Sequence, residues 1–136
     1  MKSRINSKIS SMKIFLEDLN HILPSSFEEY KKSIEKKAAC ERYVEKIVEA
    51  ATDLAFLVIK FKKLKIPEDD IDAFNILLNN KIISENLALK LKNAKGMRNI
   101  IAHEYGRIDD RVVFEAITEE LEKDVNEFIS SVKQII

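Results

Sequence analysis

The sequence predicts an all-α fold, an up-and-down bundle of four to five helices, and three observations lead there. Its 136 residues contain only 2 Gly and 2 Pro, so few positions favour tight turns. Apolar residues recur at three- and four-residue steps over most of the chain, the repeat of a helix with one buried stripe. No segment sustains the period-two alternation of a half-buried strand. The length fits one domain over residues 1–136, long enough to bury a sizeable core.

The elements follow in order. From about Ser3 to Leu23, Ile5, Ile9, Met12, Phe15/Leu16 and Leu19 form the stripe of an amphipathic helix. Pro24, Ser25 and Ser26 break it, and Glu28 and Glu29 suit the first turn of the next helix. Phe27 to Leu64 contains neither Gly nor Pro and reads as one very long helix, bent or interrupted near Ser33. Ile66-Pro67 ends it, because proline disfavours helix in the residue before it. A shorter helix is expected from Asp70 to Asn79, then a turn at Asn79-Asn80-Lys81. Ser84 can cap a helix carrying Leu87, Leu91, Ala94, Met97/Arg98 and Ile101 to about Glu104, with Gly106 as its left-handed closing residue. The last helix spans about Asp110 to Gln134, with Val113, Ile117, Leu121, Val125, Phe128 and Val132 inward.

Composition excludes several function classes. Cys40 is the single cysteine, so neither a disulfide framework nor a thiolate metal cluster is available. Between Ala39 and Glu41 on a helical pattern it reads as a small buried hydrophobe, with a catalytic thiol as the alternative. The N-terminus lacks a signal-peptide core, and the apolar run Leu54–Ile59 is bounded closely by Asp53 and Lys60, too short to span a bilayer. A soluble, cytoplasmic protein with no membrane association is expected. The 23 basic and 23 acidic residues cancel overall, but residues 1–65 carry 14 Lys/Arg against 9 Asp/Glu. A neutral total does not by itself favour nucleic acid. Attraction between the two halves, or to a partner, explains the asymmetry equally well.

The informative stretch is Arg98-Asn99-Ile100-Ile101-Ala102-His103-Glu104-Tyr105-Gly106. It sets a permanent cation, a near-neutral acid/base and a phenol at one helix end. Arg98 and Tyr105, seven apart, share a helix face, whereas Arg98 and His103 stand roughly 140° apart around the axis. Those two converge only if the helix end relaxes, the Arg side chain wraps round, or a second copy comes alongside. The chemistry suits RNA cleavage by the ribose 2′-hydroxyl: His can move the proton near neutrality, and Arg offers a rigid fork of donors to phosphate oxygens. With His21 and His103 the only histidines and no carboxylate–histidine cluster at ligand spacing, no metal or cofactor is expected. Chance composition, and the helix dipole's preference for His near a C-terminus, also produce such a spacing. Spacing alone therefore leaves both readings open.

Arg98 to Tyr105, of the form Arg-x4-His-x-Tyr, resembles the signature of HEPN domains, and specifically of HepT toxins from HEPN/MNT toxin–antitoxin pairs. The stretches Arg4-Ile5-Asn6, Ala39-Cys40-Glu41-Arg42, Glu49 to Asp53 and Gly106-Arg107-Ile108-Asp109 look like that family in order and spacing, so the likeness covers essentially the whole chain. The resemblance implies a homodimer of helical bundles with facing Arg-x4-His segments, an RNA substrate, and RNase activity. It also implies an MNT-type nucleotidyltransferase antitoxin that neutralises the toxin by attaching AMP to the motif tyrosine, here Tyr105. Phosphate-bearing bulk beside Arg98 and His103 would block the cleft and offer the arginine a competing anion. The chain departs from the family where Leu54, Ala55, Phe56 and Leu57 follow Asp53 in place of an Asn-His pair, and where Glu45 stands in place of a glutamine.

Arg42 and Asp53, eleven residues apart, share one face of the long helix. Asp53 interrupts an apolar run, and a buried carboxylate needs a cation or donors. It is expected either to orient Arg98 or Arg42, or to cap or face solvent. Asn99 suits a phosphate or backbone contact, or an ordinary exposed position; His21 is expected at the surface. Lys60, Lys62, Lys63 and Lys65 form a basic helix end, explained by the helix dipole or by an RNA patch. The leading expectation is a metal-independent endoribonuclease toxin with Arg98 on phosphate, His103 as acid/base and Tyr105 positioning and accepting AMP. The alternative is a non-catalytic nucleotide- or substrate-binding subunit of a nucleotidyltransferase complex.

Overall fold

Helix α1 (Lys2–Ile22) lies along the outside of the longest helix, α3 (Ile34–Phe61), because the stripes of both are apolar and face each other. Ile5, Ile9, Met12, Leu16 and Leu19 are buried on α1, and Cys40, Val44, Ile47, Ala51, Leu54, Ala55 and Val58 on α3. The structure is a computed structural model and describes residues 1–103 and 108–136; Glu104, Tyr105, Gly106 and Arg107, and with them the expected glycine helix end, lie outside the described residues. Among the described residues there is no strand. The all-helical expectation holds.

The long helix expected from Phe27 onward is two helices, α2 (Phe27–Lys32) and α3, parted at Ser33. Ser33 adopts an extended conformation (φ −102°, ψ 107°), and its hydroxyl accepts from the Lys36 N–H at 3.1 Å. A serine able to cap the following turn replaces the helical hydrogen bond it interrupts. At the start of α2 the Ser26 hydroxyl accepts from the Glu29 N–H, while the Glu29 carboxylate accepts from the Ser25 N–H and hydroxyl. This reciprocal cap holds the Glu29 carboxyl below its usual range.

α3 closes on Lys63, whose φ of 56° is left-handed; the Lys63 N–H donates to the Lys60 carbonyl and the Leu64 N–H to the Ile59 carbonyl. The same closure recurs after α4 (Asp70–Asn79), where Lys81 has φ 60°. Both are Schellman ends built on lysine, where glycine would be less strained. α5 (Glu85–His103) begins as expected, with the Ser84 hydroxyl accepting from the Leu87 N–H at 3.1 Å.

The expected last helix is continuous but irregular: α6 (Asp110–Glu115), a π-helical turn (Ala116–Glu120) and α7 (Leu121–Lys133). Val113, Ile117, Leu121 and Val125 are all buried, yet successive steps of four overshoot one turn by roughly 40° each in a regular α-helix. The wider turn absorbs part of that drift and keeps the stripe inward. The Thr118 hydroxyl, donating to the Phe114 carbonyl at 2.7 Å, competes for the backbone there.

The core sits where α3, α4, α5 and α7 meet, with the Phe74 and Phe128 rings edge to face at 6.2 Å. A satellite joins α2 to α6, where Phe27 and Tyr30 pack on Phe114. Tyr30 is fully buried and burial raises its phenol well above the usual range. Cys40 is the buried hydrophobe expected: 0% exposed, with burial pushing its thiol up to about 11. A thiol held neutral to that pH is no nucleophile. No described helix is long and apolar enough to cross a membrane.

Candidate active site at the Arg98 helix end

α5 remains regularly helical through Arg98 and His103, so the two side chains leave the axis in different directions, as their spacing requires. Arg98 points into a recess of about 300 Å³ against α3, its side chain 17% exposed. His103, the last described residue of α5, is exposed and does not line the recess. Within one copy of the chain the expected guanidinium–imidazole pair is not assembled. Tyr105, the third motif residue, lies outside the described residues.

The recess is a ring of ion pairs. The Arg98 Nη2 donates to the Glu49 carboxylate; Nη1 reaches the Asn99 Oδ1 at 3.4 Å, a weak contact. The buried Nε of Arg98 finds no acceptor among the described residues, which costs free energy until some oxygen satisfies it. Three residues earlier, Lys95 is buried (7% exposed) and its Nζ lies 2.8 Å from the Asp70 carboxylate. An unpaired ammonium there would be strongly disfavoured, so the N-terminus of α4 is pinned to α5. The capping of α4 by Asp69, which accepts from the Asp72 N–H at 2.7 Å, leaves Asp70 at that helix start free to face Lys95.

Of the two roles expected for Asp53, orienting Arg98 or Arg42 is not seen and facing solvent is. Its side chain is exposed, and it pairs with Lys8 of α1 at 3.2 Å rather than with Arg98 or Arg42. Glu49, one turn earlier on the same face of α3, is the carboxylate that orients Arg98. Asp53 still lines the recess. Arg42 is exposed, pairs with Glu45 at 3.2 Å, and does not line it. Asn99 is exposed and touches the guanidinium, not the backbone. His21 is exposed in the last turn of α1, as expected.

Glu49, Lys95 and Asp70 were not singled out by sequence reasoning. Lys95 carried a signal, since it stands four residues after buried Leu91 on the apolar face of α5, where a cation demands a partner. Glu49 and Asp53 were indistinguishable in one dimension; only the distance to Arg98 separates them.

A small helical bundle that carries an Arg-x4-His pair at the end of one helix, the arginine half-buried among ion pairs, belongs to the HEPN class. Over residues 12–132 the chain matches the family described as ribonuclease HepT-like, and it belongs to that family. It is 26% identical over 133 residues to the mRNA nuclease HepT of Shewanella oneidensis, covering 98% of each chain. To the tRNA nuclease HepT of Aphanizomenon flos-aquae it is 28% identical over 114 residues, 84% of this chain and 78% of that one. Among solved structures it resembles the tri-AMPylated HEPN toxin of Shewanella oneidensis in complex with its MNT antitoxin, with a TM-score of 0.91, 25% identity, and coverage of 98% of this chain and 99% of that one.

Proposed function

We propose that this chain is an endoribonuclease toxin that cuts RNA in a cleft between two copies of itself and is neutralised by an MNT-type nucleotidyltransferase antitoxin. Membership of the ribonuclease HepT-like family supports the activity, and the antitoxin is inferred from the complex formed by the similar Shewanella toxin. The observation that carries the two-copy site is the regular course of α5 through Arg98 and His103. With the imidazole exposed and roughly 140° away around the helix, a second α5 end must supply the His that works beside a given Arg98.

In such a cleft the imidazole removes the 2′-hydroxyl proton, the oxygen attacks the adjacent phosphorus, and the imidazolium so formed returns a proton to the departing 5′-oxygen. The products are a 2′,3′-cyclic phosphate and a free 5′-hydroxyl. Arg98 stabilises the charge gathering on the phosphoryl oxygens, and its unsatisfied Nε–H is a donor that a phosphate oxygen can meet. Glu49 holds the guanidinium in place, and the Lys95–Asp70 pair beside it fixes α4 against α5. No step requires a metal. Tyr105 is the residue proposed to accept AMP, placing a phosphate where it competes for Arg98.

The test is cleavage of a mixed RNA pool by wild type, Arg98→Ala and His103→Ala in excess chelator. Cyclic-phosphate ends with wild type and loss in both variants are expected. A dimer with its motif intact that cleaves no RNA, yet binds a nucleotidyltransferase, would instead identify a non-catalytic subunit.

A further inference from the structure

The Arg98 recess does not end at α3. Asp53 and Phe56 line it and also line a wider groove of about 990 Å³ between α1 and the C-terminal end of α3. Four cations border that groove: Arg4 and Lys8, one helical turn apart on α1, and Lys60 and Lys63 at the end of α3. Asp53 is the one carboxylate among its lining residues, and Lys8 already pairs with it. The chain as a whole balances 23 basic against 23 acidic residues, so this excess is local. Ser3, Ser7 and Ser11 face the groove from successive turns of α1, the floor is apolar, and Phe56 is only partly covered. Of the basic helix end, Lys62 turns away over the Phe61 ring at 5.7 Å, while Lys60 and Lys63 face the groove.

We propose that this groove carries the single-stranded RNA leading to the Arg98 recess, an assignment that rests on the RNase reading. The cations track the phosphates and the serine hydroxyls meet phosphate or ribose oxygens. The open side of the partly buried Phe56 ring, at the junction with the recess, stacks on a base. An acidic protein segment would also match the charge. It would not explain an aromatic ring at the entrance to a phosphate-cleaving site.

The test measures binding of a 2′-O-methyl oligonucleotide of twelve residues, which cannot be cleaved, across a salt series. Wild type is compared with Lys60→Gln/Lys63→Gly, Phe56→Leu and the control Lys81→Gly. Glycine at position 63 relieves a left-handed backbone, so lost binding cannot be ascribed to misfolding. The double variant is expected to bind about tenfold more weakly, and removing two phosphate contacts should flatten the log–log salt slope by about 1.4. Phe56→Leu should weaken binding without changing that slope, and Lys81→Gly should match wild type. An unchanged affinity and slope in the double variant overturns the proposal. So does a change in its sedimentation or antitoxin binding with RNA affinity intact, which would make the groove a protein interface. Both failures are distinguishable from failure of the RNase reading, in which wild type itself cuts no RNA.

Discussion

Mixing Arg98→Ala and His103→Ala subunits should restore cleavage that neither variant retains alone. Loss of the guanidinium proposed to bind phosphate is expected to lower kcat about 100- to 1000-fold, and loss of the imidazole about 100- to 10,000-fold. If α5 stays helical across both residues, as it does here, each working pair draws Arg98 from one copy and His103 from the other. A twofold dimer then holds two such pairs. In a dimer of one Arg98→Ala and one His103→Ala chain, one pair loses both partners and the other keeps both. Random exchange makes about half of the dimers mixed, so the mixture should recover about a quarter of wild-type activity, well above either parent. The assay is initial-rate cleavage of a fluorogenic oligoribonucleotide after partial denaturation and reassociation, with differently tagged chains counted by native mass spectrometry. If mixed dimers form and the rate stays at the mean of the parents, the shared-site reasoning is refuted.

Three further outcomes are expected. Glu49→Ala should lower kcat about 10- to 100-fold through misplacement of the guanidinium, with KM little changed and partial recovery in Glu49→Gln; a stopped assay that separates kcat from KM decides it. Lys81→Gly should raise stability by about 1 kcal/mol, because the left-handed backbone at φ 60° penalises a side chain, and its urea midpoint should rise with no change in slope. The Cys40 thiol is pushed from its ordinary 9.0 up to about 11. An unfolded thiol therefore ionises first, so its contribution to stability is full below pH 9 and is lost as pH rises toward 11. Stability of Cys40→Ala, followed by urea titration at several pH values, should decline less steeply over that window, whatever its absolute level.

Where the helices lie was legible in the residue order, because a 3.6-residue repeat and its caps are local properties. Asp70–Asn79 and the Ser84 cap stand as the pattern placed them. The break at Ser33 and the wide turn at Ala116–Glu120 were partly legible. A capping serine and a stripe spaced in fours are visible in one dimension, but whether a helix bends or breaks depends on what its neighbours bury. The motif cation Arg98 was found from its own chemistry, and Glu49 was not, since Glu49 and Asp53 differ only in which cation lies opposite.

By itself, then, the order of residues determined a helical bundle, its apolar faces, and an Arg-x4-His helix end with the means to cleave RNA. Tertiary structure alone decided that Glu49 orients Arg98, that Lys95 is buried against Asp70, and that Asp53 turns to Lys8. It also decided that His103 lies outside the recess of its own chain. Helical periodicity is set within a few residues, whereas an ion pair between side chains 25 to 49 positions apart exists only once packing has chosen which faces meet.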